Sequence, residues 1–138
     1  AIKDPSSGNS LKVNADGSIN VVSDVTPVVQ TVKSFFNSIT SVASGATSSI
    51  ITYTVPTGKT AFLQRVSFSG SNIATYSVLL NSTEIDRQRV YFGGDLTKNV
   101  DYSSGIPLAS EDVIEIEVYN FRPTSADFES RIQIIEVG

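Results

Sequence analysis

The chain has 138 residues with ten Lys and Arg against fourteen Asp and Glu, a net charge of −4, and no Cys or His. That length suits one domain burying roughly two-thirds of its unfolded surface, and 40% hydrophobic with 17% charged residues argues against a disordered chain. The acidic balance and scattered basic residues exclude a general nucleic-acid binder, while the missing Cys and His exclude disulfides, thiolate zinc sites and the usual base of a serine triad.

Residues 1–10 are small and polar, with Pro5 and Gly8, and read as an arm. Residues 11–22 read as a hairpin: Leu11 and Val13, then Ile19 and Val21, alternate with polar residues around Asp16-Gly17, a pair suited to a tight turn. An isolated two-stranded hairpin is marginal, so this segment is expected to lean on the body or on another chain. Residues 23–30, with Pro27, read as a linker. Residues 31–43 hold Val32, Phe35, Phe36, Ile39 and Val42; the spacing admits an amphipathic helix, but the Ser/Thr and β-branched content favours a strand.

Further strands are expected at 48–55, 61–68, 75–80, 84–92, 96–102, 113–119 and 128–137. Turns fall at Pro56-Thr57-Gly58-Lys59, Gly70-Ser71-Asn72, Asn81-Ser82 and Gly93-Gly94, and a loop at Ser103-Ser104-Gly105. Within 61–68 the alternation places Phe62, Gln64, Val66 and Phe68 on one side. In 113–119 it sets Ile114, Ile116 and Val118 against Glu115, Glu117 and Tyr119. Many short strands with regular turns predict an all-β fold, an antiparallel β-sandwich of jelly-roll type, preceded by an extended arm with a β-hairpin. The boundary is drawn at residue 30: an attachment arm at 1–30 and a sandwich at 31–138. An immunoglobulin-like sandwich remains the alternative topology.

Few residues suggest chemistry. Glu115 and Glu117 share a strand face, and paired carboxylates can hydrolyse glycosides, but such pairs are commonly just solvent-facing. Glu111-Asp112, Asp95 and Asp101 offer carboxylate oxygens to calcium without an EF-hand spacing, and no metal site is assigned. Glu84 and Asp86 are placed on one face of a charged strand and Arg87 and Arg89 on the other, serving either a protein contact or edge protection. Tyr76, Tyr91, Tyr102 and Tyr119 present rings that can stack on a sugar. Phe35-Phe36 puts a ring on each face of its strand. Serines lack a histidine base, Lys33, Lys59 and Lys98 have no distinctive serine partner, and no G-x-S-x-G, P-loop or dinucleotide fingerprint occurs. No catalytic residue and no cofactor are expected.

Three stretches carry a resemblance. The opening Ile2-Lys3-Asp4-Pro5-Ser6-Ser7-Gly8, with Lys12-Val13 and the Asp16-Gly17 hairpin, resembles the arm that begins many virion structural proteins of tailed bacteriophages. Tyr53 to Leu63, containing Val55-Pro56-Thr57-Gly58-Lys59, is similar to a turn between two sandwich strands in phage head, tail and baseplate domains. Gly105 to Ile114 is similar to the approach to a late strand there, with Ser110-Glu111 where that pattern has Gly before the acid.

The resemblance implies a non-enzymatic decoration, tail or fibre-associated component that joins other virion proteins, capsid or tail, as a homo-oligomer, often a trimer. Contacts are then expected at Ile2, Pro5, Leu11, Val13, Ile19, Val21, Phe36, Arg87 and Arg89. The alternative is a carbohydrate- or host-receptor-binding module taking a glycan near Tyr76, Tyr91 and Tyr102. No nucleic acid and no membrane are expected as partners, since no stretch approaches the roughly 20 apolar residues of a membrane helix. Residues 1–5 hold no signal-peptide-like apolar run. The expected location is the virion, with assembly in the host cytoplasm.

Overall fold

The computed structural model describes residues 28–91 and 96–138, together with the backbone of 12–13 and 19–20. The short strands β1 (Lys12–Val13) and β2 (Ile19–Asn20) pair antiparallel, Lys12 opposite Asn20, where the hairpin is expected. Eight strands follow: β3 (Gln30–Val42), β4 (Thr47–Thr54), β5 (Thr60–Gly70), β6 (Thr75–Leu80), β7 (Thr83–Arg89), β8 (Lys98–Leu108), β9 (Val113–Tyr119) and β10 (Ala126–Val137). No helix occurs among the described residues.

The pairing settles the topology. Counting the eight strands in order, the first pairs with the eighth, the second with the seventh, the third with the sixth and the fourth with the fifth, all antiparallel. The chain is therefore one long folded-back ribbon of strand pairs. Rolling it up joins β10 to β5 and β9 to β6, giving two four-stranded sheets ordered β3-β10-β5-β8 and β4-β9-β6-β7. This winding is the jelly roll, not the immunoglobulin-like alternative.

The core lies between the sheets. In β10 the even residues Phe128, Ser130, Ile132, Ile134 and Glu136 are buried, and in β9 Ile114, Ile116 and Val118 are buried with Glu115, Glu117 and Tyr119 turned outward. Each fully buried Ile or Phe contributes about 1.5–3 kcal/mol over its exposed state. The segment 31–43 is a strand rather than a helix, its strand β3 running Gln30–Val42. Period-two alternation sends Phe35 inward against Tyr53, ring centres 5.1 Å apart, and leaves Phe36 exposed.

Irregularities in the ladders change three expectations. First, β5 meets β10 through Leu63↔Ile134 and then Arg65↔Gln133, so Gln64 is an extra residue. A bulge flips the phase of the side chains beyond it. Ala61 and Leu63 therefore join Val66 and Phe68 in the core, and Phe62 and Gln64 leave the face on which alternation placed them.

Second, Ser103-Ser104-Gly105 lies inside β8 rather than in a loop. Residues 102–105 intervene on β8 where Gln64 alone intervenes on β5, so the ladder breaks while the strand continues. Third, Ile85 is the extra residue of β7, between Asp86↔Val78 and Glu84↔Leu79. That bulge moves Glu84 to the outer face with Arg87 and leaves Asp86 on the opposite side. The turns at Asn81-Ser82 and Pro56–Lys59 are as expected, and Gly93-Gly94 lies outside the described residues. Asn81 and Ser82 both have positive φ (49° and 68°), the signature of a two-residue type I′ hairpin turn. Lys59 N–H donates to Pro56 O across Gly58 at φ 83°.

Candidate functional site

The outer face of the β4-β9-β6-β7 sheet carries a cleft of about 460 Å³ whose lining includes Glu84, Arg87, Arg89, Glu117, Tyr119 and Phe121. The β7 bulge makes this grouping. Arg87 donates to both oxygens of Glu84, Nε–Oε1 2.6 Å and Nη2–Oε2 2.8 Å, and Arg87 holds the Glu84 carboxyl below its usual range. Such a bidentate pair fixes both side chains in one plane. The Arg89 guanidinium stands 4.6 Å over the Phe121 ring centre and 5.6 Å from that of Tyr91, a cation–π arrangement. Neighbouring Glu115 raises the Glu117 carboxyl, with burial adding to the effect.

Glu115 and Glu117 both turn outward from β9, on the face where alternation places them. Among the described residues no group of three or more His, Cys, Asp or Glu is arranged to hold a metal ion. The acidic residues considered for calcium are engaged locally. Asp112 accepts from Asn81 Nδ2 at 2.9 Å and from Ala109 N–H at 2.7 Å, contacts that hold its carboxyl low. Glu111 accepts from Thr57 Oγ1, and Asp101 pairs with Arg65. Asp95 lies outside the described residues.

The tyrosines do not gather into one site. Tyr76 is in the core, stacked on Phe68 with ring centres 4.7 Å apart and edge-on to Phe128; burial drives its phenol far up. It lines no surface loop, because its place on the inner face of β6 buries it. Tyr102 crosses the open side of the sandwich and donates to Asp86 Oδ2 at 2.6 Å. Tyr91 is exposed beside Arg89. Of the four, Tyr119, 43% exposed, lines the cleft.

The second surface is the outer face of the other sheet. Phe36 is 55% and Val32 62% exposed. Arg131, opposite Phe36 on β10, covers its ring at 5.5 Å. A recess of about 220 Å³ beside them is lined by Ser67, Ser69, Asn99 and Glu129 among others. The side chains of Ile2, Pro5, Leu11, Val13, Ile19 and Val21 lie outside the described residues.

Sequence reasoning missed a buried ionic cluster. Glu136 is only 2% exposed, with Lys33 Nζ 2.8 Å and Lys59 Nζ 3.8 Å from its oxygens. The nearby Tyr53 hydroxyl closes no well-formed hydrogen bond to it. Lys33 holds the Glu136 carboxyl down against the opposing effect of burial, while burial and then Glu136 push the Tyr53 phenol far up. The signal was present: Glu136 is in phase with Ile132 and Ile134.

No protein-family model matches the sequence, and no curated protein is similar to it in sequence. Solved structures superimpose on it to different degrees. A chain of the acidic stable capsid of Helicobacter pylori bacteriophage KHP30 superimposes with a TM-score of 0.51 at 11% identity, over 81% of this chain and 99% of that one. A chain of the cyanophage Pam1 capsid gives 0.44 at 12%, over 97% and 99%. The CBM36-1 domain of a multidomain xylanase from the hindgut metagenome of Trinervitermes trinervoides gives 0.38 at 11%, over 80% and 97%. At 11% identity the likeness to the KHP30 chain is one of fold.

Proposed function

We propose that this chain is a non-enzymatic virion structural protein of a tailed bacteriophage, a capsid-decoration or tail-associated component. On this reading it attaches to neighbouring virion proteins through residues 1–30 and displays the jelly roll of residues 31–138. The observation that carries the reading is the jelly-roll fold, on which the KHP30 capsid chain superimposes with a TM-score of 0.51, 99% of that chain being covered. A chain that is almost wholly this fold works through its surfaces. The exposed Val32 and Phe36 and the charged outer rows of β7 supply such surfaces here. The absence of any His or Cys agrees with a non-enzymatic role.

Phage particles lacking this component, mixed with the full chain and with a chain lacking residues 1–27, test the reading by co-sedimentation. Binding by the full chain alone supports attachment through the arm. Equal binding moves the contact to the sandwich. Binding by neither overturns the virion reading.

The cleft favours a second reading, a carbohydrate- or receptor-binding module. Its Tyr119 and Phe121 rings beside Arg87, Arg89 and Glu117 combine stacking faces with charged hydrogen-bonding groups. Glycan-array binding that Tyr119→Ala and Arg89→Ala both abolish would support it; binding unchanged by both would sink it.

A further inference from the structure

Four strands edge the two sheets, and three of them are poor templates for another chain. β7 is short and bears Glu84, Asp86, Arg87 and Arg89 beside its bulge. β8 is broken by the wide bulge at residues 102–105, with Gly105 at φ 72°. β4 is short, bulged between Ser49 and Ile51, and opens on Thr47, Ser48 and Ser49. Charge, bulges and shortness are the means by which edges resist pairing.

β3 is neither short nor bulged along most of its length. It runs 13 residues and keeps unbroken register with β10 from Gln30 to Ile39. Among the described residues no strand pairs its other edge. Its one charge, Lys33, turns inward to Glu136, and its outer face exposes Val32 and Phe36.

We propose that β3 pairs antiparallel with β3 of a second copy of this chain, about a two-fold axis through Ser34. Antiparallel partners share a face, and a two-fold axis through residue 34 pairs residues whose numbers sum to 68. Val32 then lies opposite Phe36 of the other copy, and the reverse, so both exposed apolar side chains on each β3 are matched by one operation. Lys33 meets Phe35, and no like charges face each other. This is an isologous contact joining two four-stranded sheets into one of eight strands. It rests on the assembly reading only in taking the chain to act by contact with other chains. The symmetry differs from the trimer implied by the resemblance.

The chain has no cysteine, which allows a decisive test on the purified full chain without particles. Across an antiparallel pair the Cα atoms stand about 4.5–5.5 Å apart, within disulfide range. Exposed Ser34, on the axis, faces itself, whereas Ser38 faces Gln30. Under mild oxidation Ser34→Cys is expected to form a disulfide dimer at least tenfold faster than Ser38→Cys. Adding Phe36→Glu to Ser34→Cys should abolish the cross-link and halve the mass seen by light scattering, with circular dichroism unchanged. A Ser34→Cys rate no greater than that of Ser38→Cys overturns the proposal. So does a monomeric mass for the unsubstituted chain, or a Ser34→Cys thiol that residues 1–27 shield from reagents. None of these results bears on particle binding, so the two readings fail separately.

Discussion

The most demanding position is Glu136, a carboxylate facing the core with two lysines that reach it from solvent. Lys33 and Lys59 keep 41% and 40% of their side-chain surface exposed, so each can turn its ammonium to water if the carboxylate is removed. The reverse does not hold, because Glu136 has no water to turn to. Lys33→Met should therefore destabilise the fold by about 2–3 kcal/mol, below the usual loss for breaking a buried pair because Lys33 is partly solvated. Glu136→Gln should cost only about 1 kcal/mol. Urea midpoints of the two variants at neutral pH decide the order; a larger loss in Glu136→Gln contradicts it. The pH dependence follows from the lowered carboxyl. A group with a depressed folded pKa contributes stability that is present above its unfolded value, near 4.3 for Glu, and lost as pH falls through the folded value. The gap between the natural chain and Glu136→Gln should thus close in acid, below about pH 4.

At the level of strands, turn signals made the bounds of β6 and β9 legible to the residue, and in β9 alternation also gave the buried and outward faces. Bulges were not legible. Gln64 and Ile85 are ordinary strand residues, and nothing in their chemistry announces that the ladder skips them. The skip at Gln64 reversed the faces of Phe62 and Leu63, and the skip at Ile85 assembled Glu84 with Arg87 in the cleft. Tyr76 was misjudged for a related reason: a tyrosine looks alike in sequence whether its strand turns it inward or outward. Gly105 did carry a signal, read as a loop, and its structural role is sharper. Its φ of 72° suits glycine, and a Cβ there would stand 2.7 Å from Gln64 Nε2 and 3.0 Å from Phe62 Cβ. Gly105→Ala should destabilise by about 1–3 kcal/mol through left-handed strain and crowding together. The effect is read as a lower thermal midpoint; an unchanged midpoint would mean that the bulge re-forms without its glycine.

Across the whole molecule, the winding makes the two ends of the sequence unequal. β10 sits inside its sheet, paired with β3 on one side and β5 on the other, and supplies Phe128, Ile132 and Ile134 to the core. Ending the chain before Ala126 removes a central strand and uncovers two neighbours at once, so no cooperative fold should survive. Residues 28–138 contain all eight strands of the two four-stranded sheets. A chain beginning at Val28 should therefore unfold cooperatively, with a midpoint within a few degrees of the full chain's. For a domain of this size about 1 kcal/mol moves the midpoint by roughly 2–8 °C, so even one lost packing contact would be visible. If the shortened chain melts much lower, residues 1–27 are part of the sandwich's stability rather than an appendage to it, and the boundary at residue 30 is wrong. If it melts as the full chain does, loss of particle binding by that same chain reports on attachment, because its fold is known to be intact.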